Sequence, residues 1–529
     1  DTTSNDVATN IFTGLASTDP LTGAVSPGLA SDWDISEDGT VYTFNLRDDI
    51  PWVNYDPNTG EWAIVTDDEG NERYVNAHDV AYGIKRAADP ETGSPYAYVL
   101  YSIVGAQEFN GGEEGVTADD VAVEALDDFT VQVSLKAPTP YFPAIASLST
   151  TYPQPQWAIE EWGNKWTEAG LIVTNGPYGL EEWIHGGNLN IVKNPLHPEA
   201  DSVQIEKIEG VMIVEDSTAF AMWENNELDS QALPLPEVDR IKADPVMSEQ
   251  LVNAPVSCTY YYGFTNNKPP FDDARVRAAF TQAIDRQSLI DNVTKGGQTP
   301  ATSFAPPGMF GAVTPGEVGL PSDTAAAQAS LQSYLDEQGI TVEDFSAQGI
   351  TLMHNTSEGH ASIAAAIQQM WKDNLGVDVN VENQEWKVYL QTVKNETPLE
   401  EMPHIWRLGW CADYADQNNW VFENFHADES ENQPRRNCVD ATCSSVEYSE
   451  FDELVKQAQL ETDPDVRQEL YYEAERLLTE EEIAIAPIYH YTSLEMVKPW
   501  LDRSFAAVGG EQMYTWTVDE AMMHEALGQ

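Results

Sequence analysis

The run Trp406-Arg407-Leu408-Gly409-Trp410-Cys411-Ala412-Asp413-Tyr414 constrains this chain more than any other stretch. The apolar pattern ahead of it and the Asn-containing, Pro-free loop behind it read as a strand running into a loop. Successive strand side chains point to opposite faces, which places Arg407, Gly409, Cys411 and Asp413 on one side and Trp410 and Ala412 on the other. A fixed carboxylate at Asp413 can hold an ammonium group, and the guanidinium of Arg407 can pair with a carboxylate. Trp rings supply broad apolar walls, and Gly409 lets another backbone come close. These are the parts needed to hold an extended zwitterion such as a peptide. The same residues also read as a buried strand with a structural ion pair, and both readings stand at this point.

Composition narrows the classes. The chain has 529 residues, 42% hydrophobic and 10% aromatic, enough for a large core and two or three domains. Its 26 basic and 88 acidic residues give a net charge of -62, which excludes the basic patch of a nucleic-acid-binding surface and disfavours anionic lipid. The acidic residues are spread along the chain and read as a solvated surface, for which a salty environment is one explanation. No apolar run approaches the ~18 residues of a membrane span, and no basic segment followed by an apolar one opens the chain.

The four cysteines are Cys258, Cys411, Cys438 and Cys443. The last two have a spacing compatible with a small local disulfide, and the first two are far apart. Two disulfides would imply an oxidising, extracytoplasmic compartment. A four-thiolate zinc site is the alternative, although neither of the distant cysteines belongs to a CxxC pair.

Periodicity outlines an α/β chain. Val41–Leu46 alternates as a strand after the Asp38-Gly39 turn. Asp56–Asn71 is turn-rich and reads as a hairpin insertion. A helix runs from Asn76 through Arg86 and ends at Asp89-Pro90. Phe129–Leu135 and Val203–Val214 read as strands, and Phe220–Asn226 as a helix. Asp272-Asp273 caps a helix with Val276, Ala279, Phe280, Ala283 and Ile284 on one face. A strand over Ile350–His354, a helix over Ala361–Leu375 and a strand over Val377–Val381 form a βαβ unit. Asp463-Pro464 opens a helix whose inward face is read as Val466, Leu470, Ala474, Leu477 and Leu478, and Ala484–Tyr491 is an apolar strand.

Three segments carry a resemblance. Gly409–Tyr414, Cys258–Tyr262 running on to Asn266-Asn267-Lys268-Pro269-Pro270-Phe271, and Asn383–Lys387 resemble, in order, the oligopeptide- and dipeptide-binding proteins of bacterial ABC importers, extracellular solute-binding protein family 5. Thr174–Tyr178 with Trp183, and Lys498-Pro499-Trp500, are similar too. The resemblance implies a two-lobed, type II periplasmic-binding-protein-like α/β fold of the large three-domain peptide-binding class. Lobe one would combine 1–12, 159–257 and 491–529 (domain I) with the inserted domain II at 13–158. Lobe two would be 258–490 (domain III), with hinge strands near Cys258 and Tyr489. The match begins inside the family's usual start, which implies a trimmed or processed chain.

The resemblance also implies roles. Asp413 would hold the ligand's α-amino group. Arg407 and His360 would meet its terminal carboxylate, and Lys295 would serve the same end. Trp386 and Trp410 would line side-chain pockets, with Gly409 beside them. Tyr96, Tyr98, Tyr260, Tyr262, Tyr489 and Tyr491 are further wall residues or ordinary packing. A Cys258–Cys411 disulfide is implied. Two departures stand out: Ser230-Gln231-Ala232-Leu233 replaces paired asparagines, and Val393 replaces a basic residue, with Lys394 next to it.

The function implied is capture of short peptides between two closing lobes and delivery to an ABC permease and its ATPase subunits, by an extracytoplasmic protein, periplasmic or lipid-anchored. A monomer without cofactor or metal is expected, and no nucleic acid. An oligosaccharide or other solute is the alternative ligand, and a signalling or chaperone-like peptide receptor is not separated from uptake. No Gly-x-Ser-x-Gly, His-Glu-x-x-His or phosphate-binding Gly loop points to an enzyme.

Overall fold

The computed structural model describes residues 2–427, 429 and 432–528. The chain divides into two compact units, Asp1–Ile213 with Lys498–Gln529, and Val214–Val497.

The first unit is built on small antiparallel sheets. Ala30–Ile35, Val41–Leu46, Thr130–Ser134 and Val123–Asp127 are hydrogen-bonded in that order. Along Val41–Leu46 the side chains of Tyr42, Phe44 and Leu46 are buried in alternation, so the period-two pattern marks the core face. The helix Ala77–Ala88 starts at Asn76, whose side chain and that of Asp79 form a reciprocal cap. Asp79 is buried there and accepts a hydrogen bond from Trp52 Nε1 at 2.9 Å. The expected insertion forms the hairpin Val53–Asp56 and Glu61–Ile64. The strand expected over 203–214 is confined to Lys207–Val211, because the strand it pairs with, Asn188–Lys193, extends no further. N- and C-terminal segments meet where Asn10 Nδ2 donates to the Glu511 carbonyl at 2.7 Å.

The second unit carries a seven-stranded mixed sheet. Its elements, in chain order, are β1 (Ser230–Ala232), β2 (Leu251–Phe264), α1 (Ala274–Gln282), β3 (Thr351–Asn355), α2 (Glu358–Leu375), β4 (Asn380–Gln384), β5 (Ile405–Cys411), α3 (Pro464–Arg476) and β6 (Ile485–Val497). The sheet order is β1-β6-β2-β5-β3-β4, with Thr299–Pro300 pairing additionally with β6. β3 and β4 are parallel and joined by α2, the βαβ unit expected from periodicity. The expected lobe boundary near Cys258 and Tyr491 falls inside β2 and β6, which pair with each other over most of their length.

Helix faces account for the core. Asp273 caps α1, and Val276, Ala279 and Phe280 are buried beneath it. Ser357 caps α2, Gly376 in the left-handed region ends it, and Ile363, Ile367, Trp371 and Leu375 point inward. Trp371, fully buried, still satisfies its indole by donating to the Phe280 carbonyl at 2.9 Å.

α3 departs from expectation. Val466 is 42% exposed, and the buried face instead carries Arg467, Tyr471, Ala474 and Glu475. Two polar residues take core positions because each has a dedicated partner. Arg467 grips Asp416 in a bidentate pair at 2.6 and 2.7 Å. Glu475 accepts the backbone N–H groups of Phe304 and Ala305, both at 2.9 Å. Together they pin the loop that follows β5.

Candidate functional site

The site is built on β5 and its neighbours. β5 pairs antiparallel with β2 so that Cys258 faces Cys411, Tyr260 faces Gly409 and Tyr262 faces Arg407. The four cysteines form two disulfides, Cys258–Cys411 and Cys438–Cys443. The first staples the two central strands directly across the sheet, at the end where β5 becomes the loop.

On one face of this sheet Arg407 is buried among tyrosines. Its guanidinium carbon lies 4.4 Å from the centre of the Tyr260 ring, a cation–π contact. It donates to the Tyr491 hydroxyl and, at 3.3 Å, to Asn355 Oδ1 on β3. Tyr489 stacks on Tyr260 with ring centres 4.9 Å apart, and Tyr262 and Tyr491 lie at 6.0 and 5.9 Å from the same ring. Gly409 is what lets this happen. A Cβ there would sit 3.0 Å from the Tyr491 hydroxyl oxygen and 3.2 Å from the Arg407 guanidinium, so a side chain would displace the pair. The opposite face of the strands is aromatic core: Tyr261, Trp406, Phe304 and Phe425 pack edge to face.

Arg407 is only 7% exposed, and among the described residues it makes no ion pair with any carboxylate. Among the described residues its Nε has no hydrogen-bond partner. Taking a guanidinium out of water without an anion is unfavourable, and an anion brought to it would relieve that cost.

His360, in the first turn of α2, joins the group. Its ring centre lies 5.6 Å from that of Tyr260, and its Nδ1 is buried without a partner. Burial first, then the charge of Arg407, push its pKa down to about 2, so it is neutral. Tyr489 and Tyr262 hydroxyls are held protonated by burial.

Asp413 lies beyond the end of β5. The alternation read from the sequence therefore stops at Cys411, and the position of Asp413 is set by the loop instead. Asn419 clamps it: Asn419 Oδ1 accepts the Asp413 N–H at 3.0 Å and Asn419 Nδ2 donates to Asp413 Oδ2 at 3.0 Å. The indole of Trp410 donates to the same Asn419 Oδ1 at 3.3 Å, linking wall and carboxylate. Asp413 is half-buried.

The other expected residues fall out as follows. Trp386 opens a short helix and stacks on Tyr389, ring centres 6.2 Å apart, and the Tyr389 hydroxyl donates to the Arg407 carbonyl. Lys295 is paired with Asp239 and has no contact with the Arg407 group among the described residues. Tyr96 and Tyr98 stack on each other at 5.6 Å within the first unit. Val393, where the resemblance implied a lost basic residue, is fully buried, and Lys394 is exposed. Sequence reasoning missed Asn355, Asn419 and Glu423. The Asn418-Asn419 pair in a Pro-free loop was the available signal for one of them. Glu423 had none, being one acid among 88.

Comparison with known proteins follows the same lines. The model of bacterial extracellular solute-binding proteins, family 5 Middle, matches residues 24–432. The chain is 35% identical to the oligopeptide-binding protein OppA of Bacillus subtilis over 93% of its length and 84% of that protein. It is 33% identical to the periplasmic oligopeptide-binding protein OppA of Salmonella typhimurium, over 94% of this chain and 84% of that one. Its structure matches that of the Escherichia coli murein tripeptide binding protein MppA with a TM-score of 0.81 and 28% identity, covering 98% of this chain and 94% of the other. The fold is the two-lobed, α/β, periplasmic-binding-protein-like one of these relatives.

Proposed function

The chain belongs to the bacterial extracellular solute-binding proteins of family 5, and from that premise we propose that it captures short peptides outside the cytoplasmic membrane and hands them to an ABC permease and its ATPase subunits. The observation that carries this reading is the buried guanidinium of Arg407 in its tyrosine cage, which no carboxylate among the described residues pairs. A ligand carboxylate would neutralise it and satisfy its spare N–H. Asp413 would take the ligand's ammonium end, six residues further along the chain. At ~3.3 Å per extended residue the Cα atoms of Arg407 and Asp413 are at most roughly 20 Å apart, a separation on the scale of a short peptide.

Recognition of both ends and of the main chain leaves side chains to Trp386, Trp410 and the tyrosine walls, which tolerate variety. A neutral oligosaccharide would leave Arg407 unpaired, which speaks against that alternative. His360 and Gly409 belong to the proposed carboxylate side, Gly409 by making room. Lys295 would act only after leaving Asp239. Tyr96 and Tyr98 remain proposed wall residues of the first unit. The proposed layout keeps 1–12, 159–257 and 491–529 as domain I, 13–158 as domain II and 258–490 as domain III. The protein acts by binding and not by catalysis, as a monomer, either free in the periplasm or held at the outer face of the membrane by lipid.

Mass spectrometry of ligand released from protein purified from its own cells tests the reading. Peptides of a few residues with free termini are expected. A saccharide or bile-salt-like solute in their place would overturn it.

A further inference from the structure

The helical segment 418–425 that follows β5 holds a second carboxyl joined to Asp413 through Asn419. Glu423 is 5% exposed. Its Oε1 lies 2.6 Å from the Tyr414 hydroxyl, and its Oε2 accepts from Asn419 Nδ2 at 2.7 Å. That same Nδ2 donates to Asp413 Oδ2 at 3.0 Å. One amide nitrogen is thus shared by two carboxyl groups, which places them within the ~4–6 Å over which like charges shift each other. Asn418 Nδ2 donates to the Tyr414 hydroxyl at 2.9 Å, extending this chain of polar groups. The charged groups that act on Glu423 are both acidic, Asp413 and Glu429, and among the described residues no cation pairs with it.

We propose that Glu423 is the positioning residue of the amine subsite, holding Asn419 and through it Asp413 as a neutral acid, and that it releases its proton to solvent when an ammonium group settles on Asp413. This rests on the reading of Asp413 as the amine holder.

Two carboxyl groups held this close by one amide nitrogen, one of them buried, do not both ionise readily. Burial above all, with the Asp413 charge adding to it against the Tyr414 and Asn419 hydrogen bonds, pushes the Glu423 acid up to about 8. An arriving ammonium brings a positive charge to Asp413 and offsets its repulsion of Glu423. The Glu423 O–H bond then breaks, its electron pair stays on the carboxylate, which keeps the hydrogen bonds from Tyr414 and Asn419, and the proton passes to buffer. Linkage is reciprocal: if binding expels a proton, affinity rises with pH between the ligand-bound pKa and the free value.

The test is calorimetry of tri-alanine binding at pH 7 in buffers of different ionisation enthalpy, on wild type, Glu423→Gln and Asp413→Asn. The peptide's own amine takes up the same fraction of a proton in each protein that binds it, so the difference between wild type and Glu423→Gln isolates the residue. Wild type is expected to release roughly half a proton or more beyond Glu423→Gln, and its affinity to rise severalfold more than that of Glu423→Gln between pH 6 and 8. Infrared difference spectra of the wild type alone should lose a protonated carboxyl band on peptide addition. Equal proton counts with the band unchanged overturn the inference while leaving the peptide reading intact. An Asp413→Asn protein that binds as tightly as wild type fails the underlying reading instead.

Discussion

The guanidinium carbon of Arg407 lies 4.4 Å from the centre of the Tyr260 ring, and Tyr260 faces Gly409, two positions along the same strand. The aromatic face and the missing side chain together make a buried place for a cation whose counter-ion is not supplied by the described residues. Such a place is unfavourable until an anion reaches it, which is what the proposed peptide carboxylate would do.

Removing that charge should separate stability from binding. Arg407→Met should leave the ligand-free protein as stable as wild type or up to about 1–2 kcal/mol more stable, since an unpaired buried charge is replaced by an apolar chain. The same change should weaken a free-carboxylate peptide about tenfold or more and its C-terminal amide far less. Thermal unfolding and calorimetry read the two effects. A destabilised protein that binds both peptides alike would place Arg407 in the core and not in the site.

The clamp on the loop after β5 should be sensitive to breakage by one partner. Arg467→Ala strips the buried Asp416 of its bidentate partner and should cost about 3–5 kcal/mol in urea unfolding. Arg467→Met combined with Asp416→Leu should recover much of that loss. A double variant that loses the sum of what Arg467→Met and Asp416→Leu each lose alone would show that the pair is not coupled.

Replacing both Cys258 and Cys411 by Ser should lower stability by about 2–4 kcal/mol, because the bond closes a loop of sequence separation 153. The change in denaturation midpoint reports it. Loss below about 0.5 kcal/mol would mean that strand pairing alone sets the register of β2 on β5.

Acid should unfold the protein partly through neutral buried histidines. Burial pushes the His490 pKa down to about 4, and that of His404, helped by Lys268, to about 4. Both groups are near 6.5 when unfolded, so the unfolded chain binds more protons below that pH. The stability they contribute is present above pH 6.5 and is lost as pH falls from there to about 4. His490→Asn should flatten the stability–pH curve in that window. Glu423 has the opposite sign: its raised pKa gives stability that is present near pH 4 and lost as pH rises through about 8. A curve unchanged by His490→Asn would contradict the assignment.

Much of the fold was legible because long periodic segments fix their own burial. Val41–Leu46, the Asn76-capped helix, α1 and α2 follow directly from spacing and caps. α3 did not, because its inward positions are Arg467 and Glu475, whose partners lie far away in sequence and cannot be seen in a local pattern. The site divides in the same way. Arg407, Gly409 and Trp410 lie on a strand and were placeable, whereas Asp413 sits past the strand end, where a side chain of Asn419 decides its direction. Glu423 was invisible because burial and not residue type gives it its character.

The central claim is that the ligand is held by its charged ends, and calorimetry of one tripeptide in three forms tests it most directly: free, N-acetylated and C-amidated, each against wild type and Asp413→Asn. The account predicts that Asp413→Asn weakens the free and amidated peptides about tenfold or more and leaves the already weak N-acetylated form nearly unchanged. An equal loss for all three forms, or no loss for any, would contradict it.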